Sequence, residues 1–249
     1  MIVLSYAYSG ASRVQEALAA GTEMACTAGT GIIPLCEAAA EAWRRLEDRA
    51  GQPMSRLAVR SVQRLVMAQM TTILAGVGKT RWCELAATAA AGSFLQVFPG
   101  ASTVCVHRSS LDVVGAGVRA NPWGLQGPGL LPYLLCHPGN SVAALAAYWA
   151  DATEALLAAE ASDPGATFRV RYEDVAADPG RALAAIRDRL GLGGTNLPSA
   201  SGHGAVLSEP AAAPSRPPQS AVPAGMIPDP LYKRISRLHA ELGYPSPGN

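Results

Sequence analysis

No two cysteines in this chain are spaced CxxC. The five that occur, at 26, 36, 83, 105 and 136, show no order that would gather four ligands around zinc. A zinc-built or disulfide-built scaffold is therefore not indicated. The cysteines read as buried thiols of a reducing compartment. An excess of either charge is missing too, since 20 Lys and Arg face 19 Asp and Glu for a formal net charge of +1. That balance gives no reason to expect a nucleic-acid partner. The sequence GxxxxGK[ST] is absent. Gly76, Gly78 and Lys79 lack both the rest of that loop and its strand context, which argues against a conventional ATPase. The opening MIVLSYA runs straight into a Gly/Ser turn, without the basic start, longer apolar core and cleavage region of a secretory signal. The alanine-rich stretch after Ser141 is interrupted by Asp151 and Glu154 before it becomes a convincing membrane span. No membrane association is expected, and the expected location is cytoplasmic.

What is present is an α/β pattern. At 249 residues the chain can bury a core as one domain, taken here as 1–249. Met1 to Ala7 reads as a short buried strand, Tyr8 to Ser12 as a turn, and a helix starts near Arg13. Gly10 allows close approach of a ligand, and Ser9 and Ser12 offer hydroxyls. Such a turn places unpaired N–H groups of Gly10, Ala11 and Ser12 at a helix start, where an anion is favoured. Arg56 to Leu74 reads as a helix with Val59, Val62, Val66, Met70 and Ile73 on one face. Arg60 and Arg64 on another face fit either solvent or a ligand.

A second polar edge follows the β-type run ASTVCV at 101–106, where His107, Arg108, Ser109 and Ser110 stand together. Arg108 suits phosphate oxygens, and Asp112 either orients it or charges the next helix. Ser141 to Glu160 reads as a helix in which Tyr148 and Trp149 pack the core. Thr167 to Tyr172 reads as a strand with Glu173 and Asp174 at its exit. Asp178-Pro179 then starts a helix that Gly191 ends, and Asp229-Pro230 starts another that Gly243 ends. Between 194 and 225 periodicity fails among prolines, and the segment reads as an irregular insertion or a lid.

Several separated pieces, in order, resemble the sulfotransferases that use 3′-phosphoadenosine-5′-phosphosulfate (PAPS), in their bacterial small-molecule branch. YSGASR resembles the loop around the 5′-phosphosulfate, and FPGASTVCVHRSSLDVV the segment carrying the 3′-phosphate contacts. VRYEDVAADPGRALAAIRDRLGL resembles the family's recurrent strand and helix, TRWCELAATAAAGSFLQVFPG the helix leading to the second site, and ISRLHAELGYP the end of bacterial members. The resemblance implies a central, mostly parallel sheet flanked by helices, in the P-loop-NTPase-like sulfotransferase fold. It also implies PAPS as donor, adenosine 3′,5′-bisphosphate as product, a small-molecule acceptor with a hydroxyl or amine, possible service in secondary metabolism, and no metal. Donor contacts then fall on Ser9, Gly10, Ala11, Ser12 and Arg13 at the loop, on Arg108, which matches the arginine that contacts the 3′-phosphate, with Ser109 and Ser110 beside it, and on Tyr172, at a position that approaches the adenine in related proteins.

Two positions depart from that family pattern. Tyr8 stands where lysine or arginine precedes Ser-Gly, and Ala116 stands where a serine follows the arginine by eight residues. Arg13 is the candidate replacement for the lost charge. Glu23, Glu37, Glu84, His107 and His203 are candidates for a base, with Glu37 and His107 carried forward. A noncatalytic module that binds adenosine bisphosphate or another nucleotide is the alternative reading.

Overall fold

The structure, a computed structural model, describes residues 1–50, 56–121, 129–192 and 224–246. Strands β1 (Ile2–Ser5), β2 (Met24–Ala28), β3 (Arg81–Ala87), β4 (Thr103–His107) and β5 (Thr167–Arg171) form one sheet. Their order is β2-β3-β1-β4-β5, and every neighbouring pair is parallel. The helices are α1 (Ala11–Ala19), α2 (Ile32–Ala50), α3 (Arg56–Val77), α4 (Ala91–Val97), α5 (Ser110–Ala120), α6 (Leu131–Cys136), α7 (Ser141–Ser162), α8 (Tyr172–Ala177), α9 (Pro179–Arg189) and α10 (Asp229–Leu242).

A parallel strand covered on both faces has no polar side, which is why β1 and β4 are buried at every residue. Alternate side chains feed two cores. Ile2, Leu4 and Cys105 join the larger one with Met70, Phe94, Val113, Leu145, Trp149 and Ile235. Val3, Val104 and Val106 join the smaller one with Val14, Leu18, Val175, Leu183 and Ile186. The helix after β1 thus lies on one face and the helix after β4 on the other. The two loops that lead into them part at the carboxyl ends of adjacent strands, opening the crevice where parallel α/β sheets hold their ligands.

The strands and helices read from periodicity fall where expected to within a few residues. TRWCELAATAAAGSFLQVFPG is the main correction, because its first part is not helix but β3, a central strand between β2 and β1. Its alanines favour helix locally, yet pairing on both sides and burial of Cys83, Glu84 and Ala86 override that preference. The α7 helix is long and apolar enough to cross a membrane, despite Asp151 and Glu154. Here Leu145, Trp149 and Leu156 are fully buried in the core, and both acids pair with Arg234 of α10. Residues 194–223 of the expected insertion lie outside the described residues, as does His203; Ala224 and Gly225 begin a short 3₁₀ turn, Ala224–Met226. All five cysteines are free thiols. Burial pushes Cys26, Cys83 and Cys105 up to about 12 and Cys36 to about 11, so these four are poor nucleophiles.

Candidate functional site

The loop between β1 and α1 is held by three tyrosines. Tyr6 is buried, and its hydroxyl accepts from the Arg108 N–H at 3.0 Å while donating to the Arg108 carbonyl at 3.2 Å. It ties the end of β1 to the end of β4, and burial holds its phenol well above the usual range. Tyr148 of α7 accepts from the Ala7 N–H at 2.9 Å. Tyr8 itself adopts φ 66, a left-handed conformation that costs a non-glycine residue about 1–2 kcal/mol. Its hydroxyl accepts from the Asn121 amide at 2.7 Å, which carries the ring toward α5.

Gly10 follows at φ 80 and caps α1. Only glycine fits there: a Cβ would stand 2.3 Å from Tyr172 Cε2. The Arg13 and Val14 N–H groups close onto the Gly10 carbonyl, whereas those of Gly10, Ala11 and Ser12 donate to no described group. Three unpaired donors at a helix start form a receptor for an anion.

Arg108 reaches over this receptor. Its Nη1 donates to the Tyr8 carbonyl at 2.9 Å, and its guanidinium lies 4.4 Å from the Tyr172 ring centre. Its Nε is buried without a partner, and among the described ion pairs none joins it to Asp112. The arginine backbone is fixed as firmly, because its carbonyl also accepts from Trp149 Nε1 at 2.9 Å. A guanidinium bonded to the loop that also offers three free backbone N–H groups fits a phosphate-type oxygen cluster.

The start of α5 is different. The Ser109 N–H donates to Glu173 Oε1 at 2.8 Å, and the Ser110 N–H to His239 Nε2 at 3.3 Å. Because that nitrogen accepts from an amide, the His239 proton sits on Nδ1, which donates to the Pro245 carbonyl at 2.7 Å. The Ser110 hydroxyl, 2.7 Å from the same Nε2, is turned inward as well. Tyr244 donates to the other Glu173 oxygen at 2.9 Å, and Arg171 lies over the Tyr244 ring at 4.4 Å. The carboxyl-terminal helix and its tail thus brace the second polar edge from behind.

The structure therefore brings Ser9, Gly10, Ala11, Ser12, Arg108 and Tyr172 together. Arg13 is adjacent but exposed, in a groove of about 290 Å³ with Glu16, Ala17, Tyr172, Val175 and Pro179. His107 is brought elsewhere: fully buried, its Nε2 donates to Glu160 at 2.7 Å, so it stands as a structural partner and not as a base open to an acceptor. Glu37 is exposed on α2, and Arg60 and Arg64 are exposed on α3. Glu23 precedes β2, at the sheet edge opposite the loop. Glu84 is buried, accepting from the Thr27 and Thr30 hydroxyls at 2.5 and 2.8 Å. Tyr148 and Trp149, expected to pack only, do so and also bond the loop and Arg108.

Tyr6, Glu173 and His239 as supports were missed, because each acts on a backbone group distant in sequence. Tyr6→Phe tests the first. It leaves the buried Arg108 N–H unpaired, and stability is expected to fall by about 1–3 kcal/mol, read as a lower urea midpoint at unchanged slope.

A parallel sheet whose central strand delivers a glycine-containing loop to a helix start defines an α/β protein of P-loop-like architecture. The chain belongs to the sulfotransferase family, whose profile matches residues 2–195. Among solved structures it is similar to the sulfotransferase domain from the curacin biosynthetic pathway, at 16% identity and a TM-score of 0.59, over 99% of this chain and 98% of that one. It is also similar to the sulfotransferase domain from the Synechococcus PCC 7002 olefin synthase, at 17% identity and a TM-score of 0.47, over 77% of this chain and 72% of that one. The curacin likeness bears on the fold alone. No curated protein matches the chain.

Proposed function

We propose that this chain transfers the sulfuryl group of PAPS to a hydroxyl or amine of a small metabolite and releases adenosine 3′,5′-bisphosphate. The observation that carries the reading is the loop itself, with free N–H groups at Gly10, Ala11 and Ser12 and the Arg108 guanidinium bonded to the Tyr8 carbonyl. In the reaction the acceptor oxygen or nitrogen bonds to sulfur as the bond from sulfur to the 5′-phosphate oxygen breaks. The electron pair stays on the phosphate, and the acceptor gives its proton to a base. Charge develops on the leaving phosphate, where fixed N–H donors act without reorganising. The 5′-phosphosulfate is assigned to the loop, with Ser9 and Ser12 flanking and Tyr172 closing the site beside Gly10, and the 3′-phosphate to Arg108. Arg13 and Ser109 line the approaches to the site. Five free thiols support a cytoplasmic setting.

Calorimetric titration with adenosine 3′,5′-bisphosphate tests the donor site. Stoichiometric binding is expected, and absence of binding confirmed by a second probe overturns the reading. Binding without sulfate transfer to any hydroxyl or amine in an acceptor screen instead marks a noncatalytic module.

A further inference from the structure

We infer that the outward face of α3 is a contact surface between two copies of this chain, with the helix packed antiparallel against its counterpart about a two-fold axis between Ala68 and Thr72.

The character of the face is the first observation. Val66, Met70 and Leu74 turn α3 into the core, and the opposite side presents Arg64, Leu65, Ala68, Thr72, Ala75 and Gly76, all exposed. An outward helix face of a globular protein ordinarily carries charge, yet no charged residue occurs from Leu65 to Gly78. Leu65 is 55% exposed, and Met67 on its flank is 48% exposed. The threonines do not restore polarity. The Thr71 hydroxyl donates to the Met67 carbonyl at 2.7 Å and the Thr72 hydroxyl to the Ala68 carbonyl at 3.1 Å. Both hydroxyls are spent on their own helix, which leaves methyl groups to the surface.

Shape and charge both point to a second copy as the occupant. Bulk lies toward the amino end of the face, at Arg64 and Leu65, and small residues toward the carboxyl end, at Ala75 and Gly76. The space above Gly76 is open, since an added Cβ would meet nothing within 4 Å. An antiparallel copy sets Leu65 against Ala75, Arg64 over Gly76 and Ala68 against Thr72, twice over, so that each large side chain meets a small one. Charge follows the same register. Helix α3 contains no Asp or Glu, and neither Arg60 nor Arg64 joins an ion pair among the described residues. Antiparallel packing brings Arg60 opposite Thr80 of the copy, whose hydroxyl donates to the exposed Glu23 at 2.6 Å. A parallel pairing would instead stack Arg60 on Arg60 and Leu65 on Leu65.

A face about 30 Å long makes a small interface, so association in the micromolar range is expected. Sedimentation equilibrium of the full chain from about 1 to 100 µM should show monomer passing into dimer. Ala68→Glu puts a carboxylate into the apolar centre of the contact in both copies and is expected to weaken the dimer about tenfold or more. Its urea midpoint should stay close to that of wild type, because Ala68 is exposed in the single chain. Arg60→Glu and Glu23→Arg should each weaken association about threefold, and the two together should restore it, a recovery that only a pairing of these residues gives. A wild-type chain that stays monomeric over the whole range overturns the inference. So does a dimer that Ala68→Glu leaves intact, or a pair of charge reversals whose losses simply add.

Discussion

Gly10→Ala is expected to destabilise the chain by about 2–4 kcal/mol and to remove measurable affinity for adenosine 3′,5′-bisphosphate. Two costs combine. The residue sits at φ 80, where an L side chain costs about 1–2 kcal/mol. The new methyl group would also stand 2.3 and 2.4 Å from two atoms of the Tyr172 ring. That ring cannot swing away freely, because it carries Arg108 on its face, and separating them costs about 0.5–2 kcal/mol more. Gly29→Ala is the matched control: Gly29 has a similar φ of 67, but its Cβ would meet nothing within 4 Å. It is expected to lose only the backbone part and to keep the nucleotide. Urea unfolding and calorimetry on both variants make the comparison, and a Gly10→Ala chain that behaves like Gly29→Ala would show that Tyr172 is not packed on the loop.

Gly10 also shows what could be read before the fold was known. A glycine after a buried strand and before a helix points to a turn that admits an anion, and the structure puts free N–H groups there. The same local logic located β1, β4, β5, α7, α9 and α10, whose apolar spacing or capping residues are strong. Asp178 indeed accepts from the Arg181 N–H at 3.0 Å as the cap of α9. The helix expected at β3 came from the resemblance and not from that logic; strand state there comes from two neighbours in the sheet, which no window of alanines records.

The site was legible in its anion-binding half and opaque in its supports. Arg108 was recognisable from its position after a strand, but that its guanidinium would bond the Tyr8 carbonyl, 100 residues away, was not. His107 shows the converse. A histidine at a strand end has the right chemistry for a base, yet strand alternation turns it into the core, against Glu160. The Arg169 and His107 bonds hold that carboxyl below its usual range, against the effect of burial.

His239 gives the other large expected effect, because two hydrogen bonds tie it to Ser110 at the start of α5 and a third to the Pro245 carbonyl, in a buried setting. His239→Phe keeps the volume but leaves the Ser110 N–H and hydroxyl and the Pro245 carbonyl without their partner. Stability is expected to fall by about 2–4 kcal/mol, the cost of stranding buried polar groups. Nucleotide affinity should fall as well, since Ser110 lies two residues from Arg108.

The wild-type protein should also show a pH signature of this histidine. Burial lowers its pKa from the ordinary 6.5, more than the Pro245 carbonyl and the Glu173 carboxylate raise it. The folded chain therefore resists a proton that the unfolded chain accepts as pH falls through that ordinary value. The stability from neutral His239 is full above about pH 6.5 and is lost progressively as pH drops toward the lower folded pKa. His239→Gln keeps an acceptor for the Ser110 N–H but cannot titrate. Its stability is expected to lie between wild type and His239→Phe at pH 7.5 and to fall less between pH 7 and pH 5, roughly the histidine range. Parallel wild-type and His239→Gln profiles across that range would mean that His239 is not held neutral between Ser110 and Pro245. If instead the profiles converge on acidification, loss of the bond to Ser110 is the event that loosens the start of α5, and with it the arginine that reaches the loop.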